Sequence, residues 1–360
     1  MNATNAHFVH QQRRMRVVFE SGSVVRIAEE VDRLGCTRIV LIANRRYVSR
    51  LSDALGTRVV GIVDQPVMHV PVDQVDHIET LATTSDADGA VAVGGGSAVG
   101  LAKALALRAQ IPVLAVPTTF SGSEMTQVWG ITADGKKTTG RDEIVAPSTV
   151  LYDPELLSTL PAQTAVPSAF NAIAHAVEAL YAPDRTPITD LYAGDGIAAL
   201  TAAIPRLASD SHAYTEALYG AWLCGMCLDS TSMGLHHKLC HALGGTLGLP
   251  HAPTHTAVLP HALAFNAPAV PHTMSRLREM LSTTDPANFL LYLAKISGAT
   301  TALRDLGMRL DDIDAVADQV LSAPYANPRE ITKDDLVGLL RRVATGAPAT
   351  SEPASPPESP

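Results

Sequence analysis

The chain has 360 residues, of which 46% are hydrophobic and 18% charged, a composition typical of a globular protein long enough to form two domains. A net charge of −9 without any basic run excludes a nucleic-acid-binding surface. No apolar stretch approaches the roughly 20 residues of a membrane span. The N-terminus lacks the apolar segment of a signal peptide, and the four cysteines suit a reducing compartment, so we expect a cytoplasmic protein that binds small molecules.

In the first half of the chain, short β-branched runs alternate with helical stretches. The predicted strands cover residues 16–19, 38–43, 59–63, 89–93 and 112–117. This alternation is typical of a mainly parallel sheet that is covered by helices. From Pro154 onward, Ala- and Leu-rich segments with helical spacing replace the strands.

Three regions follow from this pattern. An α/β domain is expected over residues 1–160, and an all-helical domain is expected over residues 161–345. The last residues, 346–360, are rich in Pro and Ser without apolar periodicity, which predicts a disordered tail.

A glycine turn follows the fourth predicted strand and opens a helical segment. The turn consists of Gly94, Gly95, Gly96 and Ser97. Backbone N–H groups at such a helix N-terminus can hold a pyrophosphate. The spacing departs from G-x-G-x-x-G, so an ordinary strand-to-helix turn is the alternative.

A second turn of small residues follows the next predicted strand. Its hydroxyl-bearing members include Thr118, Thr119 and Ser121. Ser123 lies in a sequence that superficially resembles a nucleophile elbow, but the required G-x-S-x-G is absent. Two donor-rich turns at consecutive strand ends favour a dinucleotide site over a hydrolase.

Histidines are concentrated in the second half, with six of the 13 between positions 236 and 261. Asn171 and His175 are four residues apart, as are His237 and His241, so each pair shares one helix face. His251 lies beyond the end of the second helix. A single histidine is usually a core residue, but two such pairs predict a metal site or a proton-transfer site. The neighbouring His236 is expected to point away from His237, in a structural or supporting role.

Five segments together resemble the iron-containing alcohol dehydrogenase family. They are GGGSAVGLAKALAL, PTTFSGSEMT, YDPELLSTLP, NAIAHAVEALYA and HHKLCHALGGTLGLPHAPTHTAVLPH. The resemblance runs from about residue 16 to residue 345 and implies a dinucleotide-binding α/β domain followed by a helical domain, as in dehydroquinate synthase-like folds. Within the family, the sequence most resembles the maleylacetate reductases, which reduce 2-maleylacetate to 3-oxoadipate during the breakdown of aromatic compounds.

The resemblance also implies where a metal would bind. Metal-dependent members hold a divalent ion with one Asp and three His, and these positions fall on Asn171, His175, His237 and His251. An amide in place of the carboxylate removes the only anionic ligand. We therefore expect no bound metal; the alternative is a metal held by His175, His237 and His251 with weak ligation by the amide oxygen.

The catalytic roles follow from the same resemblance. A hydride is expected to pass from NADH or NADPH to the C=C bond conjugated with the ketone, while imidazole donors stabilise the developing enolate. His241, which matches the family's histidine near the nicotinamide, and His251 are the first candidates, joined by His175 and His237. Lys238 and Arg141 are candidates to bind a substrate carboxylate, and solvated surface charges are the alternative reading.

Cofactor preference is read from the second predicted strand, which ends in Asn44 and two arginines. The family often has an Asp there, which binds the ribose diol. Because no acid is present, we expect the protein to use both NADH and NADPH. The family pattern also implies that Lys136 or Lys137 approaches the cofactor.

Three competing functions fit parts of the sequence. A metal-dependent alcohol or polyol dehydrogenase of the same family is opposed by Asn171, and a lyase of the dehydroquinate synthase type by the scarcity of lysine. A non-catalytic dinucleotide-binding protein would not need the histidines. The expected substrate is a small dicarboxylate, and the expected assembly is a homodimer, the commonest oligomer.

Overall fold

The computed structural model describes residues 8–11, 14–134 and 136–351. Contacts divide the chain into two compact units, one formed by Val9–Leu160 and the other from Pro161 onward. Within the described residues, no helix is both long and apolar enough to cross a membrane.

The first unit contains eight strands and four α-helices within its described residues. The strands are β1 (Arg16–Phe19), β2 (Ile39–Ala43), β3 (Val59–Val63), β4 (Gly89–Gly94), β5 (Val113–Pro117), β6 (Val128–Ala133), β7 (Lys136–Arg141) and β8 (Thr149–Tyr152). The helices are α1 (Ile27–Arg33), α2 (Arg45–Leu55), α3 (Val72–Thr84) and α4 (Gly96–Ala109).

Six of these strands form one parallel sheet in the order β1-β8-β5-β4-β2-β3. Strands β2, β4 and β5 are buried along their whole length, as expected where helices cover both faces of a parallel sheet. All five predicted strands are present. The α/β fold class predicted for this half is therefore confirmed.

Two features of this unit escaped prediction. Strand β8, a run of four residues between β5 and β1 in the sheet, was not among the predicted strands. Strands β6 and β7 form an antiparallel hairpin, and the polar, exposed β7 has no apolar alternation. Thr132 on this hairpin donates to the carbonyls of His69 and Val70, which holds the loop after β3.

The second unit is helical throughout its described residues, which confirms the predicted fold class of this half. Its α-helices are α5 (Ala162–Ala179), α6 (Pro187–Ala203), α7 (His212–Ser230), α8 (Leu235–Leu247), α9 (His251–Asn266), α10 (Pro271–Met280), α11 (Pro286–Ile296), α12 (Ile313–Leu321) and α13 (Lys333–Thr345). Helix α5 packs against α6, α7 and α9, so it is buried almost around its whole circumference. From Ala165 to the end of α5, every polar side chain therefore lies inside the protein.

The start of the predicted tail is packed against the helical unit. Asn288 accepts a hydrogen bond from the backbone N–H of Ala349 and donates one to its carbonyl, at 3.0 and 2.9 Å. Arg329 donates to the carbonyl of Ser351. The predicted disorder therefore does not extend to residues 346–351, because one side-chain amide satisfies both backbone groups of Ala349; residues 352–360 lie outside the described residues.

Candidate active site

The glycine turn connects β4 to α4 with almost no space for side chains. A Cβ on Gly94 would lie 2.8 Å from the Cβ of Ala98, and a Cβ on Gly95 would lie 3.0 Å from the methyl group of Thr119. The N–H of Thr118 bonds to the carbonyl of Gly94 at 2.9 Å, which ties the two turns together. Bare backbone is thus required where the helix begins, as in sites that bind phosphate.

A cavity of about 430 Å³ lies beside this turn. Its lining includes five of the residues predicted to bind the cofactor, namely Asn44, Gly94, Gly95, Ser97 and Thr118. Size, glycine backbone and an adjoining helix N-terminus all fit a dinucleotide. The residues present therefore fit the cofactor that the sequence predicted.

Four other predicted cofactor residues lie outside that lining. Thr119 packs against Gly95, and the side chain of Ser121 lies 3.8 Å from the position of a Cβ on Gly96. Lys137 is exposed on the β6–β7 hairpin, opposite Thr132. Their contact with a cofactor remains a prediction.

The two residues for a substrate carboxylate lie in different units. Lys238 on α8 places its Nζ atom 5.6 Å from the centre of the Tyr325 ring, a cation–π contact. Arg141 ends strand β7 and pairs with Val128. Neither arrangement tests the proposed role.

Helices α5 and α8 bring Asn171, His175 and His237 together in the interior of the helical unit. Asn171 and His175 on α5 are each only 3% exposed, and His237 on α8 is 6% exposed. The rings of His175 and His237 stack with their centres 5.1 Å apart. Asn171 Oδ1, His175 Nδ1 and His237 Nε2 have no hydrogen-bond partner among the described residues. A buried polar atom without a partner costs about 1–3 kcal/mol, so these three atoms are candidates to bind a polar ligand.

His241 and His251 lie at the exposed side of this group. The ring of His241 is 6.3 Å from that of His237, and the ring of His251 is 4.1 Å from that of His255. His255 in turn lies 5.1 Å from His237. The four predicted catalytic histidines therefore belong to one continuous cluster, carried by α5, α8 and α9.

Glu178 is a member of this site that the sequence analysis missed. Its carboxylate accepts hydrogen bonds from His237 Nδ1 at 2.7 Å and from the backbone N–H groups of Gly234 and His236 at 2.9 and 2.8 Å. Burial opposes ionisation, but the bond from His237 and the neighbouring histidines outweigh it and lower the pKa of Glu178 to about 2. With Nδ1–H bound to a carboxylate, Nε2 of His237 is left facing the ligand site. The sequence could have indicated Glu178, because it lies seven residues after Asn171 and therefore on the same face of α5.

The prediction that His236 points away from His237 is wrong. The Nδ1 atoms of the two rings lie 3.4 Å apart, and both side chains are buried. His236 Nε2 donates to the carbonyl of His255 at 3.0 Å. Burial lowers the pKa of His236 to about 4 and that of His255 far below its ordinary value, so both are neutral. His255 was also missed, although it follows His251 by four residues.

The predicted metal positions fit a divalent cation poorly. Together, Asn171, His175, His237 and His251 offer an amide and three imidazoles, without an anionic ligand. Glu178 is the nearest carboxylate bound to this group, and its oxygens already accept backbone and imidazole N–H groups. In the described part of the chain, the trios of ligand atoms within 4.8 Å of one another are different ones: Glu178, His236 and His237, and His236, Cys240 and His255.

Comparison with known proteins agrees with this architecture. The family model for iron-containing alcohol dehydrogenase matches residues 15–154, and that for the C-terminal part of the Fe-containing alcohol dehydrogenase family matches residues 165–344. Maleylacetate reductases from Pseudomonas knackmussii and Sphingobium indicum are 48% and 49% identical, covering 96% and 95% of this chain and 100% and 98% of those proteins. The crystal structure of maleylacetate reductase from Agrobacterium tumefaciens is 39% identical with a TM-score of 0.91, covering 95% of this chain and 99% of that one. The chain belongs to the iron-containing alcohol dehydrogenase family.

Proposed function

We propose that this protein catalyses the NAD(P)H-dependent reduction of 2-maleylacetate to 3-oxoadipate. The main support is the 48% identity to a maleylacetate reductase over that protein's full length. The buried cluster around Asn171, which lacks an anionic ligand for a metal, agrees with this choice over an alcohol dehydrogenase that requires one. We place the enzyme in the cytoplasm, as a homodimer, in the breakdown of aromatic compounds.

The histidine cluster suits a substrate with two carboxylates. His175, His236 and His255 are held neutral by burial, and the negative charge of Glu178 is compensated by its hydrogen bonds. No repulsion from an unpaired carboxylate opposes a dianion in this group of residues. Imidazole N–H groups can instead donate to carboxylate or ketone oxygens.

When bound, the reduced nicotinamide supplies a hydride to the C=C bond conjugated with the ketone. Negative charge then develops on the ketone oxygen, where a neutral or cationic imidazole can stabilise it as a hydrogen-bond donor. We assign this role to His241 and His251, on the exposed side of the cluster. His237, oriented by Glu178, and His175 hold the substrate, and a proton delivered to carbon completes the product.

We further propose that turnover needs no metal and accepts NADH or NADPH. Imidazole N–H groups stabilise the negative charge that a metal ion would otherwise stabilise, since Asn171 provides no charged ligand for such an ion. The cavity at the glycine turn is lined by Arg45 and Arg46 as well as Asn44, which suits a cofactor with or without a 2′-phosphate.

The decisive experiment measures oxidation of NADH and NADPH by purified protein with maleylacetate, before and after chelation, with bound metal quantified. We expect turnover that survives chelation. Asn171→Asp restores the anionic ligand, and we expect that variant to bind zinc or iron more tightly and to turn over maleylacetate more slowly. Turnover lost on chelation and restored by metal would contradict the metal-free mechanism. Absence of turnover with maleylacetate, but reduction of simple aldehydes, would favour an alcohol dehydrogenase.

A further inference from the structure

The first turn of α2 has an unusual charge pattern. Arg45 and Arg46 are its first two residues, and the turn contains no acidic side chain. The N-terminus of a helix carries partial positive charge, so cations there are unfavourable and anions are favourable. Two arginines at this position, both lining the cavity beside Gly95, point to an anionic ligand.

The acid that was missing from the end of β2 is supplied by the neighbouring strand. Asp64 follows β3 directly, lines the same cavity and binds the guanidinium Nε of Arg45 at 2.8 Å. Since β2 and β3 are parallel neighbours, their carboxyl ends meet at one edge of the sheet. The sequence analysis considered only the end of β2, where Asn44 lies, and missed Asp64 because it is 19 residues from Arg45 in sequence.

Asn44 does not take the place of that acid. Its Oδ1 atom accepts from the backbone N–H of Arg46 at 3.2 Å and so caps the start of α2. Arg46 lies over the ring of Tyr47, 4.5 Å from its centre. The salt bridge between Arg45 and Asp64 is exposed, with 72% and 39% of the two side chains accessible, so either partner can be exchanged for a ligand group.

We propose that Asp64 and Arg45 together select between NADH and NADPH, an inference that rests on the dinucleotide-dependent function proposed above. With NADH, Asp64 accepts hydrogen bonds from the ribose diol and keeps its salt bridge with Arg45. With NADPH, the 2′-phosphate competes with Asp64 for Arg45 and is repelled by the carboxylate. Asp64 thus favours NADH, and Arg45 makes NADPH acceptable.

Binding of the cofactors alone tests this pair. Dissociation constants of NADH and NADPH are measured by fluorescence without substrate, and 2′,5′-ADP and 5′-AMP are used as competing probes. For Asp64→Asn, we expect the preference to move toward NADPH by about tenfold, the effect of one charged hydrogen bond. Asp53→Asn removes an equal charge from an exposed position on α2 and should leave the preference unchanged.

The reverse change is expected for Arg45. Arg45→Ala should weaken NADPH and 2′,5′-ADP by about tenfold with little effect on NADH, whereas Arg50→Ala, on the exposed side of α2, should change neither. In the double variant Asp64→Asn/Arg45→Ala, the two changes in the ratio of NADPH to NADH affinity should not add, because the two side chains interact directly.

An unchanged ratio of NADPH to NADH affinity in both Asp64→Asn and Arg45→Ala would overturn this inference and leave the reductase activity standing. Failure of the unmodified protein to bind either dinucleotide would overturn the proposed function and the inference together.

Discussion

The glycine turn and the histidine cluster, the two proposed binding sites, are built in opposite ways. The turn at Gly94 and Gly95 offers backbone groups, and its sequence is set by the lack of space for a Cβ. The cluster offers side chains, and its buried atoms on Asn171, His175 and His237 lack partners within the described structure. In the proposed function, the turn holds a cofactor that many reactions share, whereas the cluster determines the specificity for one substrate.

This difference teaches how each region tolerates change. A backbone site loses function when a side chain is added, since steric exclusion is what defines it. A site of buried imidazoles loses function when a side chain is removed. Its polar atoms without hydrogen-bond partners lower the stability of the fold, a cost that reactive sites commonly carry. The following variants test that distinction.

The largest effect is expected for His241→Ala. Loss of a hydrogen-bond donor to the developing enolate oxygen should lower kcat by about 1,000-fold, while the dissociation constant of NADH stays within experimental error. His272→Ala, an exposed histidine on α10, is the control. Stopped-flow turnover and fluorescence titration make the two measurements. Full activity in His241→Ala would remove this residue from the mechanism.

A somewhat smaller effect is expected for Gly95→Val. The added side chain would meet Thr119 and fill the space that the pyrophosphate needs, so NADH affinity should fall by about 100-fold. Gly245→Ala, where a Cβ meets nothing within 4 Å, is the matched control. Titration of NADH fluorescence gives both constants. Unchanged affinity in Gly95→Val would mean that the cofactor binds elsewhere.

For Glu178→Gln, we expect kcat to fall by about 10- to 100-fold, the usual cost of removing a residue that orients a site histidine. The carboxylate pKa is lowered from 4.5 to about 2, so Glu178 stabilises the fold above pH 4.5, and this contribution is lost as pH falls toward 2. The variant should therefore unfold at lower urea with a weaker acid dependence.

Glu279→Gln, on the exposed surface of α10, is the control for this change. If Glu178→Gln loses stability but keeps its kcat, the carboxylate only supports the start of α8 and does not orient His237.

The smallest effect concerns His261, which is buried on α9 with both ring nitrogens unpartnered among the described residues. Burial, followed by the charges of Arg342 and Lys295, lowers its pKa to about 4. The unfolded chain binds the proton more tightly, so stability falls as pH drops from 6.5 toward 4, by about 1 kcal/mol at pH 5.5. His261→Leu should flatten this decline in urea unfolding. An equally steep decline would assign it to other groups.

Features with a regular spacing in the sequence were predicted, whereas residues whose partners are distant in sequence were missed. Runs of β-branched residues gave β1 to β5, and pairs four residues apart gave Asn171, His175, His237 and His241. Glu178 and Asp64 were missed, because their partners come from another helix or strand. Only the folded structure shows that Glu178 bonds to His237 and that Asp64 bonds to Arg45.

The N-cap residue of α8 is Gly234, which has no side chain to accept a hydrogen bond, and Glu178 of α5 supplies the missing acceptor. The same carboxylate fixes the ring of His237. Removal of this carboxylate would therefore take away the acceptor for the first turn of α8 and the Nδ1 partner of His237 together. Hydrogen exchange at the amide of His236, which donates to Glu178 at 2.8 Å, would accordingly report how often this shared contact opens.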